Sequence, residues 1–159
     1  MLYDQLTSTP LGQALMTALV SMLPVVEIRG GLPYGVSLGL PWYFSLAAAI
    51  VGNMLPVPLI ILFARPFFNW LRRKTKLGEL IGRLEKRAFK KAETVRRYEL
   101  LGLFILVAIP LPGTGAWTGS LVASLLDIRL KRAFPVIFLG VVAAGIAVSL
   151  ITHVFLLFV

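Results

Sequence analysis

Residues 24–33 read PVVEIRGGLP, and the reading of this stretch decides the fold. It places the carboxylate of Glu27 and the guanidinium of Arg29 two positions apart, follows them with Gly30-Gly31, and brackets them with Pro24 and Pro33. The run before it, Leu11 to Val26, has 16 residues without a charge, and a spanning helix needs about 20. Proline removes a backbone donor and clashes with the preceding turn, while glycine permits a sharp reversal. A second short apolar piece, YGVSLGL, follows at once. The segment over 11–40 therefore reads as a helical hairpin that enters a membrane and turns back, its prolines and glycines making the turn.

The composition demands that membrane. The chain has 159 residues, 58% hydrophobic and 14% charged, with a mean hydropathy of +0.87. A soluble domain of this size carries about 25% charged residues. The formal charge of +9 would suggest nucleic acid in isolation, but its distribution excludes that partner. Of 16 Lys and Arg, 12 lie between Arg65 and Arg97, and three more are Arg129, Lys131 and Arg132. Basic clusters beside apolar segments mark cytoplasmic loops and attract acidic headgroups. There is no cysteine, so disulfides, thiolate metal sites and cysteine nucleophiles are excluded. The first ten residues lack a basic region and contain Asp4, unlike a cleaved signal peptide.

Two later stretches are long enough to span: Trp42–Ala64, 23 residues, and Ala133–Val159, 27 residues. The fourth apolar stretch, Leu100–Leu111, has 12 residues and stops at a second break, PLPGTGAWTG, residues 110–119. Another apolar piece, SLVASLL, follows, so 100–128 reads as a second hairpin. The expectation is an all-α integral membrane protein forming one domain: hairpin 11–40, spanning helix 42–64, basic linker 65–99, hairpin 100–128 and spanning helix 133–159. Broken backbone at membrane depth needs protein or water around it, so the two breaks should meet. With residues 65–99 and 129–132 cytoplasmic, the hairpins enter from opposite sides as two inverted units, a layout common in secondary transporters. Leu77, Ile81, Leu84, Ala88, Ala92 and Val95 give the linker an amphipathic helical period. Ser45/Ala49, Ala48/Gly52, Gly140/Ala144 and Gly145/Ser149 fit close packing of small residues.

The candidate functional residues lie in the breaks. An ionisable group at the bilayer centre costs about 2.5–3.5 kcal/mol on insertion scales, which makes it a functional candidate. Arg29 offers a planar donor fork suited to phosphate or carboxylate; Glu27 offers a carboxylate that can exchange a proton or hold a cation. A structural ion pair between them is the alternative, and it needs the freedom of Gly30 and Gly31 because residues two apart on a helix face differently. In the second break, Pro110, Pro112, Gly113 and Gly115 free the main chain, Thr114 and Thr118 supply hydroxyls, and a half-helix starting near 114–118, with Trp117 in its first turn, would aim its N-terminal N–H groups inward as an anion site. A silent, capped turn is the plainer reading. Asn53, beside Gly52, Pro56 and Pro58, marks a kink that turns an amide toward the cavity, or one that serves packing alone. GTGAWTG matches no nucleotide-binding pattern, and the single His153 supports no metal site. No cofactor is expected. Neither hairpin pairs a nucleophile with a base, so an enzyme is not expected either.

LPVVEIRGGLPYG, GNMLPVP and AIPLPGTGAWTGSLVASLL, together with the basic linker, resemble the small multidrug export protein family of prokaryotic membrane proteins, related to the DedA-like or VTT-domain superfamily. The resemblance implies opposed re-entrant hairpins in a cytoplasmic membrane. It also implies proton-linked movement of phospholipid or polyprenyl-phosphate carriers, with Glu27 and Arg29 matching the hairpin's acidic and basic positions. The longer superfamily members carry an arginine motif at the second hairpin, where this chain has none. The expected function is transport of an anionic amphiphile; the alternatives are proton-coupled export of small cationic drugs and a non-transporting scaffold. The expected partners are membrane lipids and a second copy of the chain, since one protomer has few elements with which to seal a cavity.

Overall fold

The computed structural model describes residues 7–74, 99–111 and 113–158, and every regular element among them is an α-helix. In chain order these are α1 (Pro10–Ser21), α2 (Glu27–Ser37), α3 (Trp42–Met54), α4 (Pro56–Lys74), α5 (Glu99–Ala108), α6 (Ala116–Leu125) and α7 (Leu130–Phe158). Pro112 and the amphipathic helix expected over 77–95 lie outside the described residues.

α1 starts on a strong local signal. Thr9 accepts the Gly12 N–H at 3.2 Å and Pro10 opens the first turn, so the donors lacking helical partners are few from the outset. Its packing reverses that of a soluble helix. Gly12, Thr17 and Ser21 are buried, while Leu11, Leu15 and Leu19 are exposed. The buried hydroxyls donate to carbonyls one turn back, Thr17 to Gln13 and Ser21 to Thr17, leaving no unpaired donor in the interface. Small residues within and leucines without are what a lipid solvent favours.

The segments Trp42–Ala64 and Leu130–Thr152 are each long and apolar enough to cross a membrane. Phe44, Val51, Leu59, Leu62 and Phe63 on the first, and Leu139, Ile146, Leu150 and Ile151 on the second, are exposed. Such apolar belts on helices of spanning length make this a membrane protein. The second span opens three residues earlier than expected, at Leu130, and the helix of the first runs on through α4 to Lys74. The first span also breaks at Leu55, as its prolines foretell: Pro56 and Pro58 leave the carbonyls of Gly52 and Met54 without helical donors.

α1, α2 and α3 pack on one another, and so do α5, α6 and α7; α2 and α3 against α7, and α4 against α6, join the two sets. The same three-way arrangement of hairpin on following helix thus occurs twice. Along α7, Ala133, Ile137, Val141, Ala144 and Val148 form the buried stripe, and Ile28 and Leu32 of α2 belong to the same core. The small-residue pairs serve this packing within the protomer. Gly52 lies against the main chain of Ala18 on α1, and Gly140 against Val107 on α5, so that a Cβ at either would collide.

One expectation about the first break is corrected. The chain reverses over residues 22–26, ahead of the charges, and Gly30, Gly31 and Pro33 lie inside α2. The glycines do not make the turn. Gly31 instead lets α2 approach Ser21 of α1, where any side chain would collide. Pro33 withdraws the helical donor from the Arg29 carbonyl, and the Ser45 hydroxyl ties α2 to α3 by donating to the Leu32 carbonyl at 2.7 Å.

Candidate functional site

Glu27 opens α2, and its backbone sits in the left-handed region at φ 49°. That conformation costs a non-glycine residue about 1–2 kcal/mol, and such strain gathers where a side chain must be aimed. Here it aims a buried carboxylate, 4% exposed, across the molecule at the start of α6. Oε1 accepts the main-chain N–H of Trp117 at 3.1 Å, and the Ala116 N–H also faces the carboxylate. The N-cap position of α6 is Gly115, which has no side chain to cap with. Glu27 supplies the missing cap from ninety residues away, and its charge meets the positive end of the α6 dipole.

Gly115 is required for this approach on two counts. Its φ of 116° is a conformation that suits glycine, and a Cβ there would overlap the Glu27 carboxylate. Gly113, at φ 77°, makes the preceding reversal.

Arg29 treats the same break as an acceptor. Its guanidinium donates to the Leu111 carbonyl, to the Thr114 carbonyl at 2.9 Å and to Thr114 Oγ1 at 2.8 Å. The Thr114 hydroxyl also lies 2.8 Å from the Ile109 carbonyl, so the fork sits just past the C-terminal end of α5, where carbonyls lack helical donors. Trp117 completes the joint by donating its indole N–H to the Met22 carbonyl at 3.1 Å. Thus the two breaks meet, as expected, and five hydrogen bonds fasten them. The hydrogen bonds do not follow the alternative of a direct Glu27–Arg29 pair: each charge spends them on the second break, because the main chain there offers N–H groups to one and carbonyls to the other.

Asn53 reaches the same place from α3. Together with Glu27, Arg29, Gly115 and Ala116 it lines a gap that is too narrow to hold a water molecule. Asn53 is 1% exposed, and among the described residues neither its Nδ2 nor its Oδ1 has a hydrogen-bond partner; Arg29 Nε is unpaired there too. A buried amide left in that state costs about 1–3 kcal/mol.

Of the other residues expected in the site, Thr118 turns back to the Gly113 carbonyl at 3.2 Å and Gly30 faces Val26. Pro110 follows the end of α5 and is half-buried. The partners not anticipated are the Leu111 and Met22 carbonyls. Backbone groups are the same in every residue, so no sequence signal could single them out.

The geometry thus defines a helical membrane protein whose two broken segments lock together through a buried carboxylate and a guanidinium. The chain belongs to the family described as "Putative small multi-drug export protein", whose profile matches residues 27–147, from Glu27 itself through most of α7. Neither the curated proteins nor the solved structures give a match.

Proposed function

We propose that this chain is a transporter that carries an amphiphile with an anionic head across the membrane, the head replacing the Glu27 carboxylate at the start of α6. The observation that carries the reading is the bond from Trp117 N–H to Glu27 Oε1. A helix N-terminus is an anion site, and here an anion of the protein occupies it. Protonating Glu27 removes the charge that holds it there and frees the N–H groups of α6 for a phosphate or carboxylate. One negative charge then replaces another, and the low-dielectric interior never has to hold both. Arg29, whose fork suits the same groups, moves from the Leu111 and Thr114 carbonyls to the arriving head. A proton is thereby linked to each substrate.

In this reading residues 65–99 and 129–132 face the cytoplasm of a prokaryotic cell, and the hairpins are inverted re-entrant units that enter from opposite sides. A second copy of the chain helps to seal the path, and a phospholipid or polyprenyl phosphate is the model cargo. The second reading, favoured by the family's description, is export of small cationic drugs with Glu27 as the exchange site.

Reconstituted liposomes with an imposed pH gradient, loaded with a labelled anionic phospholipid or a cationic dye, separate the two. For an anionic cargo, Glu27→Gln and Arg29→Gln both abolish flux. For a cationic drug, Glu27→Gln abolishes flux while Arg29→Gln spares or improves it. Wild-type flux of both probes in folded preparations of both variants would leave only a scaffold.

A further inference from the structure

We propose that Asn53 is the second seat of Glu27: when the Glu27 side chain leaves the N-terminus of α6, the Asn53 amide receives it. This rests on the transport reading above, in which Glu27 gives up that position. Four observations lead to it. Asn53 is 1% exposed, and both its donor and its acceptor are unpaired. It lines the same narrow gap as Glu27. That gap does not admit water, so solvent does not satisfy the amide in this conformation. Finally, Gly115 lines that gap too, and a side chain there would overlap the Glu27 carboxylate.

An amide suits the task because it serves either form of a carboxyl group. Asn53 Oδ1 accepts from a protonated Glu27, and Nδ2 donates to an ionised one. The unpaired Arg29 Nε–H on the same gap adds a donor for the ionised form. Glu27 and Arg29, both from α2, are the charged groups lining the gap; α3, α5, α6 and α7 contribute none there. Among the described residues Arg29 is thus the one charge facing Glu27 across the gap, and moving Glu27 there brings no new charge into the interior. With Glu27 at the α6 terminus the Asn53 amide keeps two unpaired polar atoms, and the gap has to widen before it takes the carboxyl group.

Asn53→Leu tests this, since leucine is close in size and makes no hydrogen bonds. We expect a folded protein with a raised thermal midpoint, because the unpaired amide is gone, and a proton-driven flux reduced about tenfold, the equivalent of one lost hydrogen bond to a charged or acidic partner. In pH-difference infrared spectra, the carbonyl band of protonated Glu27 (identified by its loss in Glu27→Gln) should move to higher frequency in Asn53→Leu and in Asn53→Ala. Wild-type flux with an unshifted band in both variants overturns the seat. So does failure of both to fold, which would make the amide a structural group. If Glu27→Gln also transports like wild type, the transport reading itself falls; an inactive Glu27→Gln beside an active Asn53→Leu overturns the seat alone.

Discussion

The carboxylate of Glu27 caps a helix that begins 90 positions later in the chain, accepting the Trp117 main-chain N–H at 3.1 Å. A cap is normally supplied by the residue just before its helix. Here that residue is Gly115, which cannot supply one. The cap therefore ties the two breaks together, and any event that dislodges Glu27 loosens the centre of the molecule. The same main chain that receives Glu27 also supplies the carbonyls for Arg29, so cap and clasp are coupled.

Gly115→Ala should destabilise the protein through two separable effects. The φ of 116° and ψ of −167° at this position belong to a region essentially reserved for glycine and cost alanine about 1–3 kcal/mol, and the new Cβ also meets the Glu27 carboxylate. Thermal midpoints across a double-mutant cycle with Glu27→Ala will show it. In the Glu27→Ala background only the backbone part of the loss should remain. Strict additivity would show that 115 and 27 do not touch.

Thr114→Val removes a hydroxyl that accepts from Arg29 at 2.8 Å and leaves the two carbonyl partners in place. We expect a loss of about 1.5–3 kcal/mol, the range for a hydrogen bond to a charged group, measured by unfolding in denaturing detergent. Thr114→Ser retains the hydroxyl and should recover most of it. A loss for serine with none for valine would assign the effect to the methyl group's packing.

Gly52→Ala should separate α1 from α3. Its Cβ would enter the main chain of Ala18, and backbone cannot step aside as a flexible side chain can. Overpacking of this kind costs about 1–3 kcal/mol, against the gain of about 1 kcal/mol that alanine makes over glycine in an unhindered helix. The sign of the net change in thermal midpoint decides which wins; a rise would show that the helices do not approach this closely.

Sidedness is open to a direct measurement, because the chain contains no cysteine. Ser37 ends α2 of the first hairpin and Arg129 follows the second, and both are exposed. Cysteines placed singly at these positions should react with an impermeant thiol reagent from opposite faces of oriented vesicles, 37 from outside and 129 from the cytoplasmic side. Labelling from a single face would rule out inverted units. Residues 29 and 114 are poor reporters for this purpose, since their side chains bond to each other at the centre of the fold.

Much of the architecture was legible in the chain because it rests on quantities local to a segment. Leu11–Val26 and Leu100–Leu111 are too short to span, Trp42–Ala64 is long enough, and proline at 56 and 58 withdraws donors wherever it stands. These facts predict the two hairpins, the two spans and the break near Asn53, and they require the two breaks to share cover. The role of Gly30-Gly31 was not legible. Glycine permits both a turn and a close helix contact, and only the neighbour decides; that neighbour is Ser21.

What the sequence by itself determined is that this chain lives in a membrane and carries a carboxylate and a guanidinium into its interior. What only the tertiary structure decided is whom they serve. Glu27 and Arg29 stand two apart and invite pairing, yet their hydrogen bonds run 82 to 90 positions away. The physical reason is that periodicity and length report on contacts within a few residues, whereas a hydrogen bond between distant segments depends on how whole helices pack. The partners chosen are mostly main-chain groups, which every residue possesses and which become distinctive only when a broken helix leaves them exposed in the right place.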